Sequence, residues 1–419
     1  MTARAPPPVP PPAPAPAPGP GARPLPLVGV TVIDLSQIYN GPYATFLLAT
    51  AGATVIKIEP PGGELLRRRG TVGGAALPFA MLNGCKDSLA LDLKTDAGKA
   101  VLRDLVRSAD VVVENFAPGV MDRLGLGYAT LSALNPRLIY AQSSGYGSSG
   151  PYRDYPAMDL TVQAMAGVMS ITGFPDRPPV KAGPAVCDFA AGTHLYGAIA
   201  TALYERERTG VGRQVEVAML DAVYPSLSSS LGLHHGAGDA SSARTGNRHG
   251  GMAEAPYNVY PTSDGFIAII CVGDVHWRSL LTAMARDDLA ADPRFATLQD
   301  RVAHIDEIDR TVGAWTGRFD KQALFILLQR HRVPCAPVRD LGEVINDPHM
   351  HDRGALQWQD HPSLGRIVVQ HSAMRYLGSD LRPLDPSHDL GADADRILTN
   401  HAGRTPAQVA ALREGGVVV

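Results

Sequence analysis

From Leu27 onward, short β-branched runs alternate with stretches of helical pattern, and that alternation limits the fold more than any other feature. VGVTVIDL (28–35), ATVIKIE (53–59), SLALDL (88–93), DVVVENF (110–116) and RLIYAQSS (137–144) each read as a buried strand. Between the first two, Pro42 to Ala51 carries helix-forming residues, with Pro42 suited to a first helical turn. Thr95 reads as the N-cap of DAGKAVLRDLVRSA, in which Val101, Leu102, Leu105 and Val106 fall at helical spacing. Strands that are apolar on both faces and separated by helices predict an α/β domain with a parallel sheet covered on both sides.

The middle of the chain has another texture. Ser228 to Gly251 is rich in Gly, Ser and His and reads as a long loop. APYNVYPTSDGFIAIICV then alternates as strands do around a Ser263-Asp264-Gly265 turn, and helical segments follow to about Gln329. The expected layout is a large parallel-sheet domain built from 25–225 and 335–419, a smaller α+β domain from 226–334, and a proline-dense tail over 1–24. That tail prefers extended polyproline II and has no apolar face to bury, so it is expected to be disordered and not a signal peptide. No internal repeat is visible.

The 419 residues carry 38 basic and 41 acidic side chains, a net charge of -3, which argues against a nucleic-acid binder. The one dense basic run, Arg67-Arg68-Arg69, is short and lies close to Glu64; it reads as a contact to a small ligand's phosphate or as a solvated turn. Cys85, Cys187, Cys271 and Cys335 lie far apart with no CxxC pair, which fits a reducing, cytoplasmic setting better than a zinc cluster or a disulfide framework. No apolar run reaches the roughly 18 residues needed to span a bilayer.

Gly145-Tyr146-Gly147-Ser148-Ser149-Gly150 is a literal GxGxxG after a strand, which on its face suggests a nicotinamide cofactor. Pro151 and Pro156 follow where a helix should open, so a glycine loop is the preferred reading. Asp159 and Asp188 each stand just ahead of a helical pattern, the second closed by Gly210, and both read as N-caps. Capping does not exclude catalysis, since a helix N-terminus keeps a partly buried carboxylate ionised. Gly183 and Gly192 keep the backbone near Asp188 slim. The first histidine is His194, so a Ser-His-Asp or His-metal site would have to draw on the later chain. His234-His235 falls in the Gly/Ser stretch and reads as solvated.

Taken in order, VTVIDLSQIYNGPYAT, GATVIKIEPPGGE, LNGCKDSLALDLKT, ADVVVENFAPGVMDRLGLGY, LNPRLIYAQSSGYGSSGPY, VCDFAAG and TGVGRQVEVAMLDAV resemble the class III CoA-transferase family, which includes formyl-CoA and carnitine CoA-transferases and the related α-methylacyl-CoA racemases. The resemblance covers nearly everything after the proline-dense tail. It implies a large Rossmann-like domain from both chain ends, a small middle domain, and a homodimer whose subunits interlock like chain links. It also implies a nucleophilic aspartate a few residues before a glycine, which here is Asp188 in CDFAAG. That carboxylate would form a mixed anhydride with the acyl group and then an aspartyl-CoA thioester.

The implied CoA contacts are Gln37, Tyr39 and Asn40 after the first strand, Leu91 and Lys94 at the LDLK step, and Asn115, Phe116 and Ala117 in the ENF loop. Arg123 would meet a CoA phosphate, Met158 matches a further contact position, and Gly250 and Gly251 match a glycine-rich loop that shields the anhydride. CoA would be a substrate, with no metal or redox cofactor. Two departures weigh against formyl-CoA and oxalate: Pro60 replaces an arginine after the second strand, and Met158 replaces an aromatic residue. The racemase branch carries a histidine where this chain has Met158, so CoA transfer is the favoured chemistry and 2-methylacyl-CoA racemisation the alternative. Succinyl-CoA is the first donor to test, by analogy.

Overall fold

The computed structural model describes residues 23–69, 76–237 and 244–419. Most of the proline-dense opening therefore lies outside the described residues. The described residues separate into two compact units, those within 23–157, 187–222 and 345–419, and those within 158–186 and 223–344.

The first unit is built on a six-stranded sheet of β1 (Thr31–Asp34), β2 (Thr54–Glu59), β3 (Asp87–Ala90), β4 (Val111–Glu114), β5 (Ile139–Ser144) and β6 (Gln214–Ala218). The strands are all parallel and lie in the order β3-β2-β1-β4-β5-β6. The five strands expected from sequence are all present; four are trimmed at one or both ends, and β3 begins one residue early, at Asp87, and ends at Ala90. The sixth, QVEVA, alternates exposed and half-covered residues before the buried Ala218, which suits an edge strand.

Because successive side chains point to opposite faces, each central strand feeds two cores. Ile33, Ile56 and Val112 join Val101, Leu102 and Leu105 of α2 (Asp96–Val106) and Ile397 and Leu398 from the C-terminal end of the chain. Val32, Val55, Val111 and Val113 pack instead with Ala44 and Leu48 of α1 (Asn40–Thr50) and with Leu195 and Ile199 of α3 (Val186–Thr209). Thr95 caps α2, its Oγ1 accepting the Gly98 N–H at 3.0 Å. Gly210, at φ 75°, takes the left-handed conformation that ends α3. Leu91 forms an antiparallel bridge with Val418, tying the sheet edge to the chain's last residues. An antiparallel hairpin, Leu356–His361 with Gly365–Gln370, completes this unit.

The second unit holds a three-stranded antiparallel sheet, Tyr257–Thr262, Gly265–Ile270 and Cys335–Pro337. Its core includes Trp277, Leu280, Ile308, Trp315 and Leu324. Three stretches assigned to the large domain from sequence, 158–186, 223–225 and 335–344, fall here. Residues 158–186 are held by the Gly246 N–H to the Gly173 carbonyl and by Arg244 to the Phe174 carbonyl. Residues 335–337 pair with 267–269, a partnership that local pattern cannot show. The stretch read as a loop is also corrected, for Ser228–Ala237 is helical. Glycine costs a helix only about 1 kcal/mol relative to alanine, a local penalty that tertiary context can override. No helix among the described residues is long and apolar enough to cross a membrane.

Candidate active site

Strand order reverses between β1 and β4, and in open α/β sheets the crevice beyond the carboxyl ends of the strands at such a reversal is where ligands bind. Here two loops meet at that point. Asn115, just past β4, accepts the Gln37 N–H through Oδ1 at 2.8 Å and donates from Nδ2 to the Gln37 carbonyl at 2.8 Å. The Ile38 N–H points at Glu64 Oε2, 3.4 Å away, and Ile38 takes a left-handed φ of 67°. Tyr39 and Asn40 follow and open α1.

A buried ionic cluster supports this loop from beneath. Asp34 accepts hydrogen bonds from the Ser36 N–H at 3.0 Å, Thr45 Oγ1 at 2.6 Å and Lys86 Nζ at 3.0 Å, and Lys57 Nζ donates to the Ser36 carbonyl. Burial alone would push the Asp34 carboxyl up, yet Lys57 and Lys86 hold it well below the usual carboxylate range. Burial lowers Lys86 to about 8 despite the Asp34 charge.

Asp188 lies near the same loop. It is the third residue of α3 and not its cap, because the helix begins at Val186; its exposure is only 8%. The next residue, Phe189, stacks on Tyr39 with ring centroids 6.0 Å apart and meets Tyr43 edge-on at 5.0 Å. Burial, followed by the nearby Asp188 charge, raises the Tyr39 hydroxyl. One turn along α3, Gly192 lets the helix press against α1, where a Cβ would come within 2.5 Å of the Asn40 carbonyl oxygen. Asn40 Nδ2 donates to Ser143 Oγ at 3.0 Å, and Ser143 in turn donates to the Val217 carbonyl. Asn40 Oδ1 is buried with no hydrogen-bond partner.

Beside these residues, at the carboxyl ends of β4 and β5, is a cavity of about 520 Å³ whose lining includes Glu114, Phe116, Arg123, Tyr140, Gln142 and Arg153. Two of the expected CoA contacts, Phe116 and Arg123, are on its wall. Glu114 and Arg153 were not singled out from sequence. Glu114 accepts the Phe116 N–H at 2.8 Å and the Tyr140 hydroxyl at 3.3 Å, and burial raises its carboxyl to about 7 in spite of both bonds. The signal available was the acidic residue within the ENF loop, but its burial depends on a strand that lies beyond it in sequence.

The other expected residues are distributed unevenly. Gln37, Tyr39, Asn40 and Asn115 cluster as described, and Ala117 is exposed on the same loop as Phe116. Leu91 is 1% exposed within the core, and Lys94 is exposed at the β3 edge, where its N–H bonds Asp92 Oδ1. Met158, Asp159, Gly250 and Gly251 belong to the second unit. Asp159 is the first helical residue of Asp159–Met165 and not its cap; the N-cap position is Met158, and Asp159 Oδ2 accepts Gln163 Nε2 at 2.5 Å. Gly251 donates its N–H to His249 Nδ1 at 3.2 Å.

No helix opens after the GxGxxG segment until Asp159, so the helix N-terminus that a dinucleotide would need is missing there. Asp87, His388 and Asp393 converge closely enough to hold a cation, but Arg396 already pairs with both carboxylates, at 2.6 and 2.9 Å.

Comparison with known proteins agrees with this geometry. The family model for CoA-transferase family III matches residues 27–394. An acetyl-CoA:oxalate CoA-transferase from Acetobacter aceti is 41% identical, the match covering 88% of this chain and 92% of that protein. A succinyl-CoA–D-citramalate CoA-transferase from Chloroflexus aurantiacus is 36% identical, covering 94% and 98%. A crystal structure of a CAIB/BAIF family protein from Brucella suis superposes with a TM-score of 0.79 at 33% identity, covering 90% of this chain and all of that one. The match runs over most of the chain, and the chain belongs to CoA-transferase family III.

Proposed function

We propose that this protein transfers CoA between an acyl thioester and a carboxylic acid, with Asp188 as the nucleophile. The observation that carries the reading is the placement of Asp188: a buried carboxylate in the first turn of a 24-residue helix, beside the aromatic contact to the β1–α1 loop. The N-terminal end of such a helix favours the ionised form and so keeps an attacking oxygen available.

In this reading an Asp188 oxygen attacks the thioester carbonyl, the C–S bond breaks, and CoA leaves as thiolate with an aspartyl–acyl anhydride left behind. The thiolate attacks the aspartyl carbonyl and expels the donor acid as carboxylate, which gives an aspartyl-CoA thioester. The acceptor carboxylate attacks that thioester and forms a second anhydride. Returning thiolate then takes the acceptor acyl group and restores Asp188. Each step exchanges one activated acyl bond for another, so neither a redox group nor a metal enters the balance. Phe116 and Arg123 on the cavity wall suit the CoA moiety, with the guanidinium matched to phosphate.

The relatives' names direct the search for substrates towards small dicarboxylates, with acetyl-CoA and succinyl-CoA as donors. We place the protein in the cytoplasm as an interlocked homodimer. The reading is supported by four cysteines that form no disulfide and by apolar side chains such as Tyr204 and Val211 exposed on the single chain; light scattering tests the assembly.

The deciding experiment incubates wild type and Asp188→Ala with a donor panel, quenches with hydroxylamine and maps the adduct by peptide mass spectrometry. A hydroxamate on Asp188, absent from the variant, is expected. No adduct with any donor, together with α-proton exchange in a 2-methylacyl-CoA, would overturn the transferase reading in favour of racemisation.

A further inference from the structure

Asn115 stands among the residues that the family resemblance assigns to CoA, yet the geometry gives its side chain other work. Its carbonyl oxygen takes the Gln37 N–H and its amide returns a hydrogen bond to the Gln37 carbonyl, both at 2.8 Å, across 78 residues of sequence. The donor and acceptor on Gln37 fix which way the amide points, because only one orientation satisfies both. The following residue, Ile38, sits at φ 67°. Left-handed backbone is rare for β-branched residues, and such a conformation persists only where the surroundings hold it. Glu64 helps from the other side, being 3% exposed, with its Oε2 accepting the Leu66 N–H at 3.0 Å and facing the Ile38 N–H.

Immediately after this strained residue come Tyr39, whose ring stacks on Phe189, and Asn40, whose carbonyl oxygen lies against Gly192. The turn at Ile38 therefore sets where the β1–α1 loop meets the helix that carries Asp188. Were Gln37 released, Ile38 would relax to an ordinary negative φ, and a rotation at that one residue would carry Tyr39 off Phe189.

We propose that the Asn115 side chain is a positioning group: it latches Gln37, holds Ile38 in the left-handed region, and so presents the β1–α1 loop to the Asp188 helix. The inference rests on the CoA-transferase reading above and deepens it, because it states what the Asn115 side chain contributes to the shape of the CoA site.

The test compares wild type, Asn115→Ala, and Asn115→Ala combined with Ile38→Gly, using steady-state transfer from whichever donor gives the Asp188 hydroxamate. Asn115→Ala is expected to raise the acyl-CoA KM by about tenfold, with kcat and thermal midpoint moving far less. Adding Ile38→Gly is expected to recover about threefold or more of that loss, since glycine adopts a positive φ without strain. A side chain that contacts CoA directly cannot be rescued in this way, so an unrescued KM, or a KM unchanged by Asn115→Ala, overturns the latch.

Asn115→Asp supplies a second variant should the alanine form fail to fold. It keeps the acceptor for the Gln37 N–H and loses the donor, and an intermediate KM is expected. Amide exchange at Ile38 and Tyr39 separates the two levels of inference. If the wild type forms no hydroxamate, the functional reading fails. Faster exchange in Asn115→Ala, slowed again by Ile38→Gly, would still support the latch, and unchanged exchange would overturn it.

Discussion

Glu114→Gln should change how stability depends on pH, and the size of the change follows from the site. The carboxyl is 7% exposed and is held by the Phe116 N–H and the Tyr140 hydroxyl, with burial raising it from 4.5 to about 7 and Asp122 adding in the same direction. Below about pH 4.5 the group is protonated in both folded and unfolded chains, so it contributes no pH dependence there. Between 4.5 and about 7 the folded protein keeps a proton that the unfolded chain releases, so stability falls as pH rises through that window; above about 7 the loss is complete. A displacement from 4.5 to about 7, at about 1.4 kcal/mol per pH unit, is worth about 3 kcal/mol.

Glutamine keeps the acceptor for the Phe116 N–H, offers its amide to the Tyr140 oxygen and does not titrate. The variant should match wild type near pH 5 and be more stable by about 3 kcal/mol near pH 8. Urea unfolding of both proteins across that range measures the gap, and every other titrating group cancels in the difference. A gap that stays constant with pH would refute the reasoning, because it would mean that the carboxyl ionises alike in both states. The carboxylic C=O stretch in the infrared gives an independent check, with a band lost on titration near neutrality in wild type and absent from the variant.

Two further substitutions test the frame around Asp188. Lys86→Met removes the cation closest to the buried Asp34 carboxylate, 3.0 Å away, and should cost about 3–5 kcal/mol in a thermal or denaturant melt; a loss below about 1 kcal/mol would show that Lys57 alone balances the charge. Gly192→Ala drives a Cβ to 2.5 Å from the Asn40 carbonyl oxygen, a backbone atom that cannot turn aside, and should cost about 1–3 kcal/mol together with transfer activity, whereas Gly197→Ala on the same helix meets open space and should be neutral or slightly stabilising.

What the sequence disclosed was local. β-Branched runs marked five of the six strands, Thr95 announced α2, and Gly210 marked the end of α3, because each depends on residues within a turn or so of one another. Pairings over long separations were hidden. That β1 lies beside β4 requires Ile33 to meet Val112, and the reversal it creates locates the ligand crevice. Residues 158–186 looked continuous with the first unit until the hydrogen bonds from Arg244 and Gly246 drew them to the second. Glu114 stood in plain view within ENF, but its burial comes from Tyr140 on the neighbouring strand, and its importance was invisible for that reason.

The same contrast bears on where acyl selectivity can reside. At the strand-order reversal, Gln37 is bound through its backbone, Asn115 through its amide, Ser36 through Lys57 and Asp34, and Asn40 through Ser143. Groups committed in this way can shape a pocket for the moiety common to all CoA thioesters, but the donors and acceptors used in these bonds cannot distinguish one acid from another. Discrimination between carboxylates of similar size needs polar groups that lose a partner when the wrong acid binds. Of the buried polar atoms in this cluster, Asn40 Oδ1 and Glu64 Oε1 are unpaired acceptors, and the first lies on the residue that Gly192 brings against the Asp188 helix. On the proposed function, selectivity is therefore expected to draw on these unpaired acceptors and on residues outside the latched loop.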